Sequence, residues 1–180
     1  MAYGVVRTDN LSGTDVGADL VSIKYIVTTG SGTTESPYVK TETAIENGNV
    51  LKVGALISGE REIFEGTAPA ANDALTDIVL VASPEVMYDE RKRNLDEFRN
   101  EAGKACRGYR IRKGNIFSVT KDALDGAASP AVGDIVELKA GTKLNVVAAA
   151  TGATSGSTVV GKIIAKDVVG RYTYYAILVG

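Results

Sequence analysis

The sequence contains no histidine, no tryptophan and only one cysteine among its 180 residues. Without an imidazole group, catalysis by Ser-His-Asp or Cys-His sites and metal ligation by histidine are excluded. The single cysteine, Cys106, cannot form an intramolecular disulfide, which excludes a disulfide-linked secreted scaffold. We therefore predict that the protein is not an enzyme and has no catalytic residues, no cofactor-binding residues, no cofactor and no metal ligands.

The chain also lacks a strong charge of either sign and lacks long hydrophobic runs. Its net charge of −2 gives no overall attraction to nucleic acid. Residues 1–10 do not combine a basic start with an apolar core, as a signal peptide does, and no apolar run approaches the length that spans a bilayer. We expect neither nucleic acid nor a membrane among its partners.

What the sequence does contain is a succession of short apolar stretches separated by glycines. Alternating apolar residues over 21–27 predict a half-buried strand, and Asn47-Gly48 predicts a tight turn. Such stretches at regular spacing predict a mainly β protein, built as small barrel or sandwich lobes. Further strands are predicted at 50–57, 61–65, 78–82, 106–111, 115–120, 134–138, 144–147, 159–166 and 171–179.

One short α-helix is predicted at 94–102. Asn94 and Glu97 have the spacing of a capping box, and Gly103 follows as a helix end. The apolar residues between them lie on one helical face.

The strand pattern also suggests how the chain is divided. Residues 1–44 are predicted to form an extended arm with one or two strands, and residues 45–180 to form a β-rich domain. Two β-lobes, 45–83 and 104–180, joined by the helix, are one interpretation of this domain, and a single core is the other.

A run near the C-terminus matches most of a phosphate-binding P-loop, from Gly156 to Lys162. The motif requires Ser or Thr at the next position, which is Ile163, and it requires a helix that begins there. The β-branched residues around this point predict a strand instead. We therefore predict no nucleotide site.

Two features indicate contact with another protein. The stretch 91–113 is rich in arginine and lysine, which favours either contact with an acidic protein surface or nucleic acid, or a solubilising face. The tyrosines at 172–175 are either interface anchors or cross-strand pairs inside a sheet. The predicted protein-interface residues are Val5, Val6, Arg7 and Leu11 in the arm, Arg91, Lys92 and Arg93 in the basic stretch, and Tyr174.

The middle third of the chain resembles head decoration proteins, also called capsid cement or auxiliary proteins, of tailed bacteriophages. The first 40 residues carry no such resemblance. The segments that carry it are 81–90 (VASPEVMYDE), 95–104 (LDEFRNEAGK), 108–110 (GYR), 113–119 (KGNIFSV), 132–138 (VGDIVEL) and 141–144 (GTKL).

The resemblance implies a structural virion protein that binds the outer surface of a capsid. Such proteins stabilise contacts between major capsid protein subunits against the pressure of packaged DNA, usually as oligomers at symmetry points. The expected partners are the major capsid protein and other copies of this chain. The expected location is the virion surface, after assembly in the host cytoplasm.

Two alternatives remain open at this point. A phage tail-tube or head-completion subunit would also suit a β-rich chain that assembles with copies of itself. A carbohydrate-binding module or small enzyme that uses carboxylates and tyrosines belongs to another class, and no complete catalytic motif favours it.

Overall fold

The structure, a computed structural model, describes residues 3–7, 19–89, 91–92 and 94–180. The chain is mainly β, with 44% strand and 5% helical residues, which confirms the predicted fold class. No helix in these ranges is long and apolar enough to cross a membrane. The strands are β1 (Leu20–Thr29), β2 (Val39–Glu42), β3 (Val50–Leu56), β4 (Ile63–Thr67), β5 (Ile78–Val81), β6 (Cys106–Arg110), β7 (Ile116–Thr120), β8 (Leu124–Gly126), β9 (Ile135–Glu137), β10 (Leu144–Val147), β11 (Val159–Val169) and β12 (Tyr172–Val179).

The first sheet closes into a five-stranded barrel. Its strand order is β1-β4-β3-β5-β6, and β6 pairs with β1 to complete the ring. The β1–β4 pair is parallel and the other pairs are antiparallel. β2 pairs with the end of β1 and lies outside the ring.

The second sheet is a curled half-barrel with the order β7-β12-β11-β9-β10-β8. Only the β8–β10 pair is parallel among its described pairings. β11 and β12 are its longest strands and form a hairpin around Gly170.

Buried apolar residues connect the two sheets. β5 is buried along its whole length because its alternate residues face two different clusters. Val79 and Val81 pack with Ile23 and Leu51 of the barrel. Ile78 and Leu80 instead join a cluster that contains residues of the half-barrel, among them Phe117, Val136 and Ile177. The barrel and the half-barrel therefore pack directly against each other.

The strands predicted from the sequence are all present, with ends that differ by a few residues. Gly48 has a φ of +83°, as the predicted tight turn at Asn47-Gly48 requires. β8 was not predicted, and β2 was anticipated only as a possible second strand within residues 1–44, without a position. The barrel draws β1 from within residues 1–44 and β6 from beyond residue 104, so it combines segments that the sequence assigned to different parts of the chain.

The segment predicted as an α-helix, 94–102, is different. It contains a single 3-10 turn, Leu95–Glu97, at whose start the Asn94 N–H donates to the Glu97 carboxylate at 2.9 Å. Phe98 is already extended, and Asn100 then forms an antiparallel bridge with Ile45 through two backbone hydrogen bonds of 2.8 and 2.9 Å. The prediction of a helix over 94–102 was wrong after the first turn, because this bridge holds the chain extended.

A buried carboxylate attaches the loop after β10 to the half-barrel. Glu137 is 1% exposed and accepts hydrogen bonds from Asn145 Nδ2 (2.9 Å), Thr154 N (2.8 Å) and Thr154 Oγ1 (2.6 Å). Burial raises the pKa of Glu137, but the hydrogen bonds from Thr154 and Asn145 outweigh it and hold the pKa below its usual value.

Glu137→Gln is expected to lower the free energy of unfolding at pH 7 by about 1–3 kcal/mol. The NH2 group of the new amide cannot accept the hydrogen bonds that Asn145 and Thr154 donate to the carboxylate. A depressed folded-state pKa stabilises the protein above the unfolded pKa of about 4.3, and this contribution is lost as the pH falls through the folded value. The difference between wild type and variant should therefore shrink below about pH 4. Urea unfolding at several pH values measures it, and a difference that stays constant with pH would contradict the assignment.

Candidate interaction surfaces

The β1–β2 hairpin extends past the barrel. Residues 26–29 of β1 pair with β2, beyond the part of β1 that pairs with β4 and β6. Every residue of 28–42 is exposed, including Tyr38 (67%) and Val39 (52%). Among the described residues β2 pairs only with β1, so its second edge is open. An open edge with exposed apolar side chains is a typical site for pairing with another chain.

Two ion pairs attach this hairpin to the barrel. Lys24 Nζ lies 3.1 Å from Glu42 Oε1, and Lys40 Nζ lies 2.6 Å from Glu65 Oε1. Exposed pairs of this kind contribute only about 0–1 kcal/mol each. They therefore orient the base of the hairpin more than they stabilise the fold.

The β11–β12 hairpin forms a second projection. β9 pairs with β11 only as far as Lys162, and β7 pairs with β12 only from Tyr174 onwards, so the tip stands beyond both neighbours. Residues 166–171 are exposed, and Val168 is 71% exposed. Arg171 forms an ion pair with Asp96, which also accepts a hydrogen bond of 2.9 Å from the Tyr172 hydroxyl.

Asp96 is ionised in this contact. Burial raises the pKa of its carboxyl, but the hydrogen bonds from Tyr172 and Arg171 outweigh it and hold the pKa below its usual value. The contact joins the tip of the β11–β12 hairpin to the 3-10 turn Leu95–Glu97.

A groove of about 430 Å³ lies between two segments of the connection from β5 to β6. Its apolar side chains include Val86, Phe98 and Tyr88, and Tyr88 is 94% exposed. The cations that line it without a carboxylate within ion-pair distance, among the described residues, are Lys92, Lys104 and Arg107. A groove with both features can accept an acidic, partly apolar protein surface.

Asn47 hydrogen-bonds residues on both sides of this groove. It is 1% exposed, and its Nδ2 donates to the Ser83 carbonyl (2.8 Å) and to Glu85 Oε1 (3.1 Å). Its Oδ1 accepts from Ser83 N (3.0 Å) and Asn100 Nδ2 (3.1 Å). One buried amide therefore joins the segment after β5 to the segment before β6, which are the two sides of the groove.

Residues Tyr3–Arg7 lie in a slot at the edge of β7, and we call them the N-terminal strand. Val6 bridges Val119 of β7. Thr120 N in β7 donates a hydrogen bond to the Val5 carbonyl at 3.0 Å. Arg7 N donates one back to the Ser118 carbonyl of β7 at 2.9 Å. Three further backbone N–H groups of the strand donate hydrogen bonds to the slot: Val5 N to Thr120 Oγ1 (3.1 Å), Gly4 N to Glu46 Oε2 (3.2 Å) and Tyr3 N to the Asp96 carbonyl (3.1 Å).

Three of the predicted interface residues, Val5, Val6 and Tyr174, are buried inside the molecule. Val5 and Val6 are 1% and 3% exposed in the N-terminal strand, and Tyr174 is 3% exposed within β12. Tyr174 pairs across the sheet with Thr120, which is the second of the two roles considered for the tyrosines. Pairing with β7 removes Val5 and Val6 from any surface that a partner could contact in this conformation.

The remaining predicted residues are more accessible. Arg7 is half-buried, and its guanidinium carbon lies 5.7 Å from the centre of the Tyr174 ring. Arg91 and Lys92 are exposed, and Arg91 forms hydrogen bonds of 3.0 Å to both oxygens of Asp89. Leu11 and Arg93 lie outside the described residues.

Sequence reasoning did not identify the two hairpin tips as surfaces. Residues 30–36 contain mainly glycine, serine and threonine, which indicated only a flexible loop. Tyr38 and Val39, which follow that run, were the available signal, because apolar residues beside a polar loop are exposed unless a partner covers them.

Comparison with known proteins adds no identification. No family model matches the chain, and no curated protein or solved structure matches it. The surfaces described above are therefore the structural observations from which a function can be proposed.

Proposed function

We propose that this protein is a structural protein of a tailed-bacteriophage virion that binds the outer surface of the capsid and stabilises contacts between major capsid protein subunits. Its partners are the major capsid protein and other copies of this chain, in a homo-oligomer on the capsid. The observation that carries the proposal is the β1–β2 hairpin, in which all of 28–42 is exposed and one strand edge is open.

The physical argument concerns what would cover this hairpin. Burial of apolar surface is favourable by about 25 cal/mol per Å², so Tyr38 and Val39 gain when a partner covers them. A lattice of identical subunits presents the same partner surface many times. Several interfaces, each of roughly 1,600 Å² or less, can then act together and hold a protein whose single contacts are weak.

The resemblance to decoration proteins supports the same proposal. Two of the segments that carry it, 81–90 and 95–104, provide most of the residues of the groove. The groove and the two hairpins are three separate surfaces on one small protein. Such an arrangement suits a protein that touches more than one neighbour.

The proposal is tested with purified capsid shells from the virus that encodes this chain. Replacing both Tyr38 and Val39 by serine is expected to weaken binding at least about tenfold, because anchors of this kind dominate interface energies. Co-sedimentation at increasing protein concentration measures the change.

The matched control is Val132→Ser, which removes a 61% exposed valine from another part of the surface and should leave shell binding unchanged. If the hairpin variant and the control bind shells equally well, the β1–β2 hairpin is not part of the interface. If the wild-type protein fails to sediment with shells, the proposed function is wrong.

A tail-tube or head-completion subunit is the second candidate, and the open edges of the hairpins favour it. Head-to-tail pairing of open edges produces rings or tubes when the rotation allows it. Electron microscopy of the purified protein without shells distinguishes the two functions. Rings or tubes would favour the tail subunit, and small separate particles would favour the decoration protein.

A further inference from the structure

The N-terminal strand is held in the manner of a bound peptide. Its hydrogen bonds go to residues distant in the sequence, in β7 and in the turns near Glu46 and Asp96. Val5 and Val6 are buried there. Eleven residues separate Arg7 from Asp19, which directly precedes β1. We propose that this slot is an interaction site between copies of this chain, which the N-terminal strand of a second copy can fill.

The slot selects the sequence of its occupant. A Cβ added to Gly4 would lie 2.7 Å from the Asn47 carbonyl oxygen and 2.9 Å from Ala123 Cβ, so only glycine fits at that position. The next two positions take valines that are almost fully buried. The segment 3–7 of this chain meets these requirements, so the same segment of a second copy meets them equally.

Exchange between copies conserves every contact of the slot. The same hydrogen bonds and the same buried valines form whether the strand comes from its own chain or from a neighbour. The balance is then decided by the local concentration of copies and by the reach of the connection. A connection of this length spans about 40 Å at most, which is the upper limit on the distance between Asp19 of one copy and the slot of the other.

A disulfide between two different single variants tests the exchange. Val6 and Val119 are directly opposite, and the flanking hydrogen bonds make them a non-hydrogen-bonded pair with Cα atoms about 4.5 Å apart. That separation permits a disulfide. Val6→Cys and Val119→Cys proteins are mixed at about 1 mM, incubated, oxidised and analysed on a non-reducing gel.

Two controls accompany the mixture. Val6→Cys mixed with Val132→Cys measures disulfides that form by random collision, because Val132 is exposed and lies outside β7 and the turns that hydrogen-bond the N-terminal strand. The double variant Val6→Cys/Val119→Cys, oxidised in dilute solution, verifies that the slot geometry closes a bond within one chain. The native thiol does not interfere, because burial raises the pKa of Cys106 to about 12 and keeps it protonated.

The expected result is a covalent dimer in the Val6→Cys and Val119→Cys mixture, at least about tenfold more abundant than in the collision control. A dimer yield no higher than in that control, while the double variant closes within one chain, would overturn the exchange. A double variant that forms no bond would overturn the slot itself. The test requires no capsid, so it can fail while shell binding holds, and shell binding can fail while it succeeds.

Discussion

Gly161→Ala is expected to destabilise the protein by about 3 kcal/mol or more, which lowers Tm by roughly 6–12 °C for a chain of this size. Gly161 lies in β11 opposite Val179 of β12, where the pairing of β11 with β9 shifts register. A Cβ at this position would lie 2.0 Å from the Leu178 carbonyl oxygen and 2.8 Å from its carbonyl carbon. Backbone atoms cannot rotate away, so β12 and the core behind it would have to move.

Gly54→Ala is the matched control for this prediction. Gly54 also lies in a strand and has no positive φ, and an added Cβ would come no closer than 3.2 Å to the Glu65 carbonyl oxygen. We expect a change below about 1 kcal/mol in its free energy of unfolding. Thermal unfolding of both variants by circular dichroism provides the measurement, and equal Tm values for the two would show that β12 does not pack against Gly161 as described.

Asn47→Ala is the second change with a large expected effect. It leaves the N–H and the carbonyl of Ser83 and one N–H of Asn100 without their buried partner. Each unsatisfied buried group costs about 1–3 kcal/mol, so a loss of about 3–5 kcal/mol is expected. The direct connection between Ser83 on one side of the groove and Asn100 on the other should also be lost, because Asn47 hydrogen-bonds both residues.

Ser83→Ala is the appropriate comparison because it removes one hydrogen bond from the same cluster. Its hydroxyl accepts from Arg107 N at 3.0 Å, and its backbone remains paired with Asn47. A loss of about 1 kcal/mol is expected. Urea unfolding of both variants would contradict the role of Asn47 if the two losses were equal.

The sequence alone was sufficient to predict those strands in which the pattern of apolar residues shows which faces are buried. β5 shows this most clearly, because the four apolar residues of Ile78–Val81 predicted a strand buried on both faces, and each face packs with a different cluster. The position of β2 could not be predicted, because all four of its residues are exposed and the strand is held by its hairpin partner and two ion pairs. β2 forms because β1 and the barrel hold it, and the pattern of its own residues does not show these contacts.

The segment 94–102 shows why a correct local signal gave the wrong element. The hydrogen bond expected between Asn94 and Glu97 is present. The chain is extended again from Phe98, because Asn100 pairs with Ile45. Residue 45 is distant in the sequence, and its pairing is a property of the folded barrel. Tertiary contacts therefore overrode a helical propensity of a few tenths of a kcal/mol per residue, roughly.

The arm was the part of the candidate interface that the sequence described least well. A polar, glycine-containing start predicted an extended segment open to partners, and Val5 and Val6 were assigned to that surface. Their burial depends on a slot built from β7 and the turns at Gly48 and Ala123, none of which the arm itself encodes. The exposed lysine and arginine at 91–92, in contrast, follow from composition alone.

Electron cryo-microscopy of purified capsid shells incubated with the protein tests the central claim most directly. The account predicts repeated density on the outer shell surface at equivalent lattice positions, with residues 28–42 in contact with a major capsid protein subunit. Shells that carry no such density, or bound copies whose β1–β2 hairpin points into solvent, would contradict it.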